Sequence, residues 1–563
     1  AEFMKKALIA LIAFACAICT NAKPPKWLKN ARKAQVTVIA FDKEGTPKES
    51  QGAFIDEEGT VLTEYDILKG AVKATVIDFN GIEHPVHRIK GANSMYNVAK
   101  LSVTKNKTKA GYLTTDTTIV SKGKLLYVLP TAKADKSVPC TPDTIVKEEL
   151  FKDSFHYYTL AKAHNERLAN CPVLNEAGKL VGLLQMSVKE GGQSFVMDAS
   201  YAAQLAISPL DATNADLKAI QIPKALPSNA QDAATFIFLS GPKDSNDYKQ
   251  YIEDFLSAYP DSLQGYVLKA EMLAGQKEYD KAEQSYKQAL ELNNANKDEV
   301  HYSWAKTLYT LNLDPSYKVH GEWTMEQALA QAQAASAAKD MPIYKKVQAD
   351  CLYALKRYAE AKEIYVALTK TNLRNPDLFL YAAQCQQMED GSNLNAIITL
   401  QDSALNCYSK PYPAEAAPIL LMRGNNYAKA GKPRQAIADL IIYEGLYSGI
   451  LTAEFYYQRE QLAMQCRMYP TALNDIDKAI RLNPAEPIFR AELAAICYRL
   501  NMIDDAIGAA QAAINLDNKF ADAYRILGVC HDKKGNKQEA RKNLQKAVEL
   551  GDSISKELLN NIK

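Results

Sequence analysis

What is scarce in this chain narrows its class before any motif is sought. Neither sign of charge dominates: Lys+Arg number 67 against 65 Asp+Glu, a formal net charge of +2. There is therefore no basic field to hold nucleic acid or anionic lipid. After the first two dozen residues no run approaches the roughly 20 apolar residues of a membrane helix, so no membrane span is expected in the mature chain. Beyond Cys16 and Cys19 in the leading apolar stretch, the cysteines include no CxxC pair and no cysteine–histidine grouping with metal-ligand spacing, which argues against a zinc module or a dithiol redox motif. Phosphate-binding glycine loops and nucleotide fingerprints are missing too, so no cofactor and no metal are expected. What remains is an ordinary globular composition, 47% hydrophobic and 23% charged over 563 residues, too long for one core.

Ala1–Phe3 precede the first methionine and read as an expression remnant. Met4-Lys5-Lys6 is then a positive start, Ala7 to Cys19 an apolar stretch, and Thr20-Asn21-Ala22 ends in a small residue. Residues 1–22 are thus expected to be this remnant and a signal peptide cut after Ala22, placing the mature protein in the periplasm, in reach of the outer membrane through a partner. Lipidation at Cys16 is the alternative.

The hydrophobic period changes once along the chain. From 23 to 208, short runs such as Gln35 to Phe41, Gly52 to Ile55, Val61 to Thr63, Ala74 to Phe79, Lys124 to Leu129 and Leu180 to Met186 alternate between turn residues. That pattern predicts an all-β barrel domain. Residues 209–247, with Pro209, Pro223, Pro227 and Pro242, read as a linker with a little local structure. From 248 to 551 the period is helical and repeats. Ala282, Ala328, Ala361, Ala396, Ala436, Ala472, Ala506 and Ala540 mark equivalent points, the last three spaced by 34 residues. Two helices per unit at that period resemble the tetratricopeptide repeat, here about eight copies in an all-α superhelix. The last copy carries Tyr524, Leu527-Gly528, Gly535, Leu544 and Ala547 in the motif's places. Ile554, Leu558, Leu559 and Ile562 predict a capping helix over 552–563. Cys351, Cys385, Cys407, Cys466, Cys497 and Cys530 fall inside the helical pattern, as buried apolar side chains.

Three segments of the β-domain carry a further resemblance. Ser50 to Ala71 (SQGAFIDEEGTVLTEYDILKGA), Asn93 to Val103 (NSMYNVAKLSV) and Arg167 to Gly182 (RLANCPVLNEAGKLVG) are similar to the HtrA/DegP-type trypsin-like proteases. Ser194 to Ala206 resembles that family's closing strand and helix. The resemblance implies a trypsin-like double barrel. It also places Asp66 at the family's catalytic histidine, Asn97 at its catalytic aspartate, Ala169 at its nucleophilic serine and Arg167 at its oxyanion-hole glycine. Hydrolysis by this mechanism needs a hydroxyl nucleophile, an imidazole base and an orienting carboxylate. All three are absent, which implies a pseudoprotease and no enzyme.

Cys171, two residues beyond the serine position, is the one candidate replacement nucleophile, but it lacks a positioned base. Cys140 and Cys171 flank the vanished site, and export would allow a disulfide between them, closing a loop worth about 3–4 kcal/mol.

The function expected is an interaction scaffold or adaptor for envelope proteins or peptides; an envelope protease or quality-control factor with an atypical site is the alternative. The groove positions that form a two-carboxylate clamp in relatives carry Leu421 and Asn425, Tyr457 and Gln461, then Ala491 and Ala495, so such a clamp is not expected. Tyr456, Tyr457 and Tyr498 are candidate partner-binding residues. Most of the affinity is expected in the repeats, with the β-domain as a second surface that takes a peptide at a sheet edge.

Overall fold

The computed structural model describes residues 24–104, 110–130, 140–187, 192–243, 245–293 and 296–562. The signal-peptide and Cys16 readings lie outside them. The chain divides into two compact units, Ala1–Ala295 and Asn296–Lys563.

The first unit opens with the short helix α1 (Leu28–Arg32), followed by β1 (Gln35–Phe41), β2 (Pro47–Phe54), β3 (Thr60–Thr63), β4 (Lys73–Ile77), β5 (Glu83–Asn93) and β6 (Val98–Val103). A second set follows: β7 (Leu125–Val128), β8 (Thr141–Phe151), β9 (Phe155–Leu160), β10 (Pro172–Leu174), β11 (Leu180–Gln185) and β12 (Phe195–Asp198). Each set closes into a six-stranded antiparallel barrel, ordered β1-β2-β3-β6-β5-β4 and β7-β8-β9-β12-β11-β10. The two orders are the same topology used twice. Leu62 and Val98 of one barrel share a core with Leu174, Leu183 and Met197 of the other. Every strand has a neighbour on both sides, so an added peptide strand would meet only overhanging stretches such as Glu148 to Phe151 of β8, which pair with β9 and lie beyond the pairing with β7.

The expected linker is not loose. After α2 (Ala199–Gln204) and the one-turn helix α3 (Ala215–Lys218), Ile220 and Ile222 are buried. Gly70 N–H donates to Ala219 O and Gln221 N–H to Ala71 O. Pro223 to Ala225 then run parallel to β5: Ile89 N–H donates to Pro223 O, and Ala225 N–H to Ile89 O. The overhanging part of β5 is thereby covered by the chain's own continuation. Helices α4 (Ala230–Leu239) and α5 (Asn246–Ala258) follow, and Arg88 of β5 grips Asp254 of α5 through two hydrogen bonds of 2.8 and 2.9 Å. Proline here starts turns against the barrel rather than freeing the chain.

One helix pair, α6 (Leu263–Gly275) with α7 (Tyr279–Glu291), completes the first unit. The second unit stacks seven pairs: α8 (Lys297–Leu313) with α9 (Met325–Ala338), α10 (Pro342–Ala354) with α11 (Tyr358–Leu368), α12 (Pro376–Asp390) with α13 (Leu394–Leu405), α14 (Ala417–Lys429) with α15 (Pro433–Leu446), α16 (Ala453–Gln465) with α17 (Tyr469–Leu482), α18 (Pro487–Arg499) with α19 (Ile503–Leu516), and α20 (Ala521–Lys533) with α21 (Lys537–Glu549). The register alanines are fully buried in seven pairs. The exception is α13, where Ala396 is half-exposed and Ile397 takes the buried slot; the irregular spacing to the neighbouring alanines reflects this slip. Helix α22 (Ser553–Asn561) covers the last pair, with Leu558, Leu559 and Ile562 packed against Ala540 and Leu544. Ile554 was expected on that face but points to solvent, because Ser555, hydrogen-bonded to the N-cap Asp552, is the buried residue of that turn.

Candidate partner-binding site

The positions singled out in the β-domain are tied into local hydrogen bonds. Asp66 follows β3, exposed to solvent, and Asn97 precedes β6. They meet: Asp66 N–H donates to Asn97 Oδ1 at 2.9 Å, and Asn97 Nδ2 donates to Glu64 Oε2 at 3.3 Å. Asn97 adopts φ +48°, a left-handed conformation that asparagine tolerates. Arg167 and Ala169 lie at the end of a short 3-10 turn, Glu166–Leu168. An oxyanion hole needs backbone donors aimed at empty space. Here Arg167 N–H donates to Asn165 Oδ1 and Ala169 N–H to Glu166 O, so both are used inside the turn. The next residue, Asn170, is buried and donates to Ser50 Oγ of β2 at 3.1 Å.

Three histidines for which no motif was seen sit against carboxylates: His84 on Asp78, His156 on Glu148 and His164 on Asp143. The last has a serine beside it, but Ser194 Oγ accepts from His164 N–H and is itself buried. It is a structural knot rather than a nucleophile. Cys140 and Cys171 are unbridged and belong to different cores. Cys140 packs with Leu129 and Leu174, and Cys171 with Val128, Val173 and Leu184. The expected disulfide is not formed. Burial also pushes the Cys140 thiol up.

In the second unit, α12, α13 and α14 enclose a cleft of about 540 Å3. Helical spacing puts Asp377, Leu380, Tyr381, Gln384 and Gln387 on one face of α12, and Met422, Asn425, Asn426 and Lys429 on one face of α14. Ile397 and Gln401 of α13 form the floor, where Gln401 Oε1 accepts from Asn426 Nδ2 at 3.2 Å. Leu380, Tyr381 and Met422 give the cleft an apolar side, Tyr381 and Met422 being exposed. Its polar lining is mostly carboxamide, a group that carries a donor and an acceptor and so matches both sides of a peptide bond. Asn425, noted for the clamp it does not form, is part of this lining. The remaining residues were not singled out, since glutamine and asparagine on a helix carry no motif.

Of the tyrosines proposed for the groove, Tyr456 is buried, its hydroxyl donating to Glu444 Oε1 at 2.9 Å with Lys478 over its ring. It therefore serves packing, and that assignment is corrected. Tyr457 is half-buried with its ring 5.3 Å from Phe489, and Tyr498 is half-buried with Lys533 Nζ 5.0 Å over its ring.

Comparison with known proteins agrees with the helix pairing. Residues 263–296, 461–519 and 503–553 match models of the tetratricopeptide repeat, so these segments carry tetratricopeptide repeats in a chain with two barrels at its N-terminal side. Mouse Superkiller complex protein 3 is 26% identical over 283 residues, 50% of this chain and 17% of that protein. Small glutamine-rich tetratricopeptide repeat-containing protein 2 of Mycosarcoma maydis is 37% identical over 91 residues, covering 16% and 26%. Human DnaJ homolog subfamily C member 7 is 33% identical over 82 residues, covering 15% and 17%. The chain thus spans about a quarter or less of these relatives' lengths. Among solved structures, YrrB, described as a tetratricopeptide-repeat protein with an unusual peptide-binding site, is 19% identical with a TM-score of 0.29, covering 35% of this chain and 98% of that one. MamA is 24% identical with a TM-score of 0.26, covering 31% and 96%.

Proposed function

We propose that the protein is a non-catalytic scaffold of the bacterial envelope, exported to the periplasm, which holds another envelope protein by an extended segment laid in the α12–α14 cleft. The observation that carries this is the cleft's lining, carboxamides facing an apolar wall, which suits a peptide backbone with an apolar side chain and offers no reacting group. The double barrel is read as a trypsin-like domain without its triad. Its support is the one strand order used twice, together with Asp66, Asn97 and Ala169 at the three catalytic positions.

The test uses the full chain as bait in the envelope fraction of the native host, beside a Gln384→Ala/Asn425→Ala/Met422→Ala variant. A partner retained by the wild type and lost by the variant, at unchanged helical content, supports the reading. A partner retained equally by both, or seen only with cytosolic extract, contradicts it.

A further inference from the structure

One buried side chain in the second unit breaks the packing rule of its neighbours. Twelve residues before each of four register alanines, Ala436, Ala472, Ala506 and Ala540, stand Gly424, Glu460, Ala494 and Gly528. This is where the two helices of a pair come closest. A Cβ on Gly424 would lie 3.2 Å from the Leu440 side chain, and one on Gly528 2.7 Å from that of Leu544. Glycine and alanine answer that constraint, yet α16 places a glutamate there, with 0% of its surface exposed. A conflict between a residue and its slot is expected where function requires it.

The surroundings of Glu460 sharpen the anomaly. Its Oε2 accepts from Gln461 Nε2 at 2.7 Å, while its Oε1 is buried without a hydrogen-bond partner. Glu492 of α18 and Asp475 of α17 act on it as like charges, and Asp522 and Arg525 of α20 act on Glu492 in turn; one turn before the two glutamates, Tyr457 and Phe489 bring α16 and α18 together with their rings 5.3 Å apart. Among the described residues no cationic nitrogen comes within 4.0 Å of either glutamate. The adjacent Arg459 is spent on Asp475, Glu444 and Leu440 O, and Arg525 on Asp522 and Asp552. Burial, and then the like charge of Glu492, push the Glu460 carboxyl up to about 8, and burial also raises Glu492. Two carboxyls enclosed together without a cation are held near neutrality by a proton, or by a cation supplied from outside.

We propose that Glu460 and Glu492, with the Tyr457 ring beside them, form a receptor for a lysine or arginine side chain of the bound partner. The inference rests on the scaffold reading above. Glu492 and Tyr457 are half-buried and reachable from solvent, so the cation seats on them, the ring adding a cation–π contact. Glu460 behind them releases its proton to solvent as the cation arrives, and its carboxylate then balances that charge from within the fold.

The test titrates the full chain at pH 7 with an acetylated peptide of four Ala-Lys repeats, and with its Ala-Glu counterpart, by calorimetry. The Lys peptide should bind and the Glu peptide should not. Glu460→Gln and Glu492→Gln should each weaken the Lys peptide at least tenfold, while the exposed Glu557→Gln leaves it unchanged. Because glutamine relieves the repulsion, both variants should melt no lower than the wild type at pH 9, which separates lost recognition from lost folding. Equal affinity across all variants, or no binding of the Lys peptide to the wild type, overturns the proposal. So does a change confined to the pH dependence of melting, which would leave the pair a proton-sharing joint only. A partner that binds through Gln384 and Asn425 but ignores both glutamines sinks this inference and spares the scaffold; a partner indifferent to Gln384 and Asn425 sinks the scaffold itself.

Discussion

Arg423 and Arg459 occupy the same place in consecutive pairs and meet the same partner. Arg423 is gripped by Asp439 and Asp402, and Arg459 by Asp475 and Glu444. In each case the first acid comes from the second helix of the arginine's own pair and the other from the second helix of the pair before, so the guanidinium ties neighbouring pairs together. Arg459 and Asp475 are both almost fully buried. Arg459→Ala would leave Asp475 charged without its partner, and should lower the stability of the array by about 3–5 kcal/mol, read by chemical denaturation of the helical signal. Arg481→Ala, whose partner Asp477 is exposed, should change it by under about 0.5 kcal/mol. Glu460 acts in the opposite sense. Its folded pKa of about 8 lies above the unfolded value of about 4.3, so the folded state holds more protons between those values. The contribution to stability therefore falls as pH rises from about 4.3 to 8 and is level beyond. Glu460→Gln should flatten that slope in thermal midpoints taken from pH 5 to 9; an unchanged slope would assign it to other groups. In the β-domain, Ala169 has no nucleophile and both adjacent amide donors are used within the turn. Purified protein should leave unfolded casein intact, and Cys171→Ala should make no difference.

Strands and helices were legible in the sequence where their period is clean. β1 occupies the same residues that its alternation marked, and the register alanines found the second helix of every pair. β5, β8 and β9 were not foreseen. β5 and β8 carry bulges, at Val86/Arg88, Ile89/Gly91 and Ile145/Lys147, and an extra residue shifts which side chains face inward. The turns between paired helices hid themselves differently. Six of them place a residue in the left-handed region, which Gly431 and Gly535 supply visibly, but Lys277, Lys356, Arg467 and Asn501 do the same work elsewhere. The linker's attachment to the barrel was not legible, because proline content says nothing about a hydrogen bond formed with a distant strand. Since Gln221 and Ala225 donate to barrel carbonyls, their amides should exchange as slowly as those of β4 and β5. Exchange within seconds would mean that this segment is a tether after all. As for the site, the three aligned segments singled out Asp66, Asn97, Arg167 and Ala169, and the meeting of Asp66 with Asn97 agrees with that alignment. The cleft and the Glu460–Glu492 pair were not readable, because each depends on which faces of separate helices meet.

At the scale of the molecule, a closed double barrel precedes, in sequence, stacked helix pairs with a peptide-sized cleft. Helix pairs gain surface with each copy added, since every pair buries its apolar face on the next and leaves its first helices to line a groove. Binding is accordingly assigned to the helices. The most direct measurement of that claim is the dissociation constant of the captured envelope partner for the full chain, by calorimetry, in the wild type and in the Gln384→Ala/Asn425→Ala/Met422→Ala variant. The account predicts at least a tenfold rise in the variant, with helical content and melting temperature retained. An unchanged constant in that variant, with binding abolished instead by substitutions at Asp66 and Arg167 in the β-domain, would contradict it.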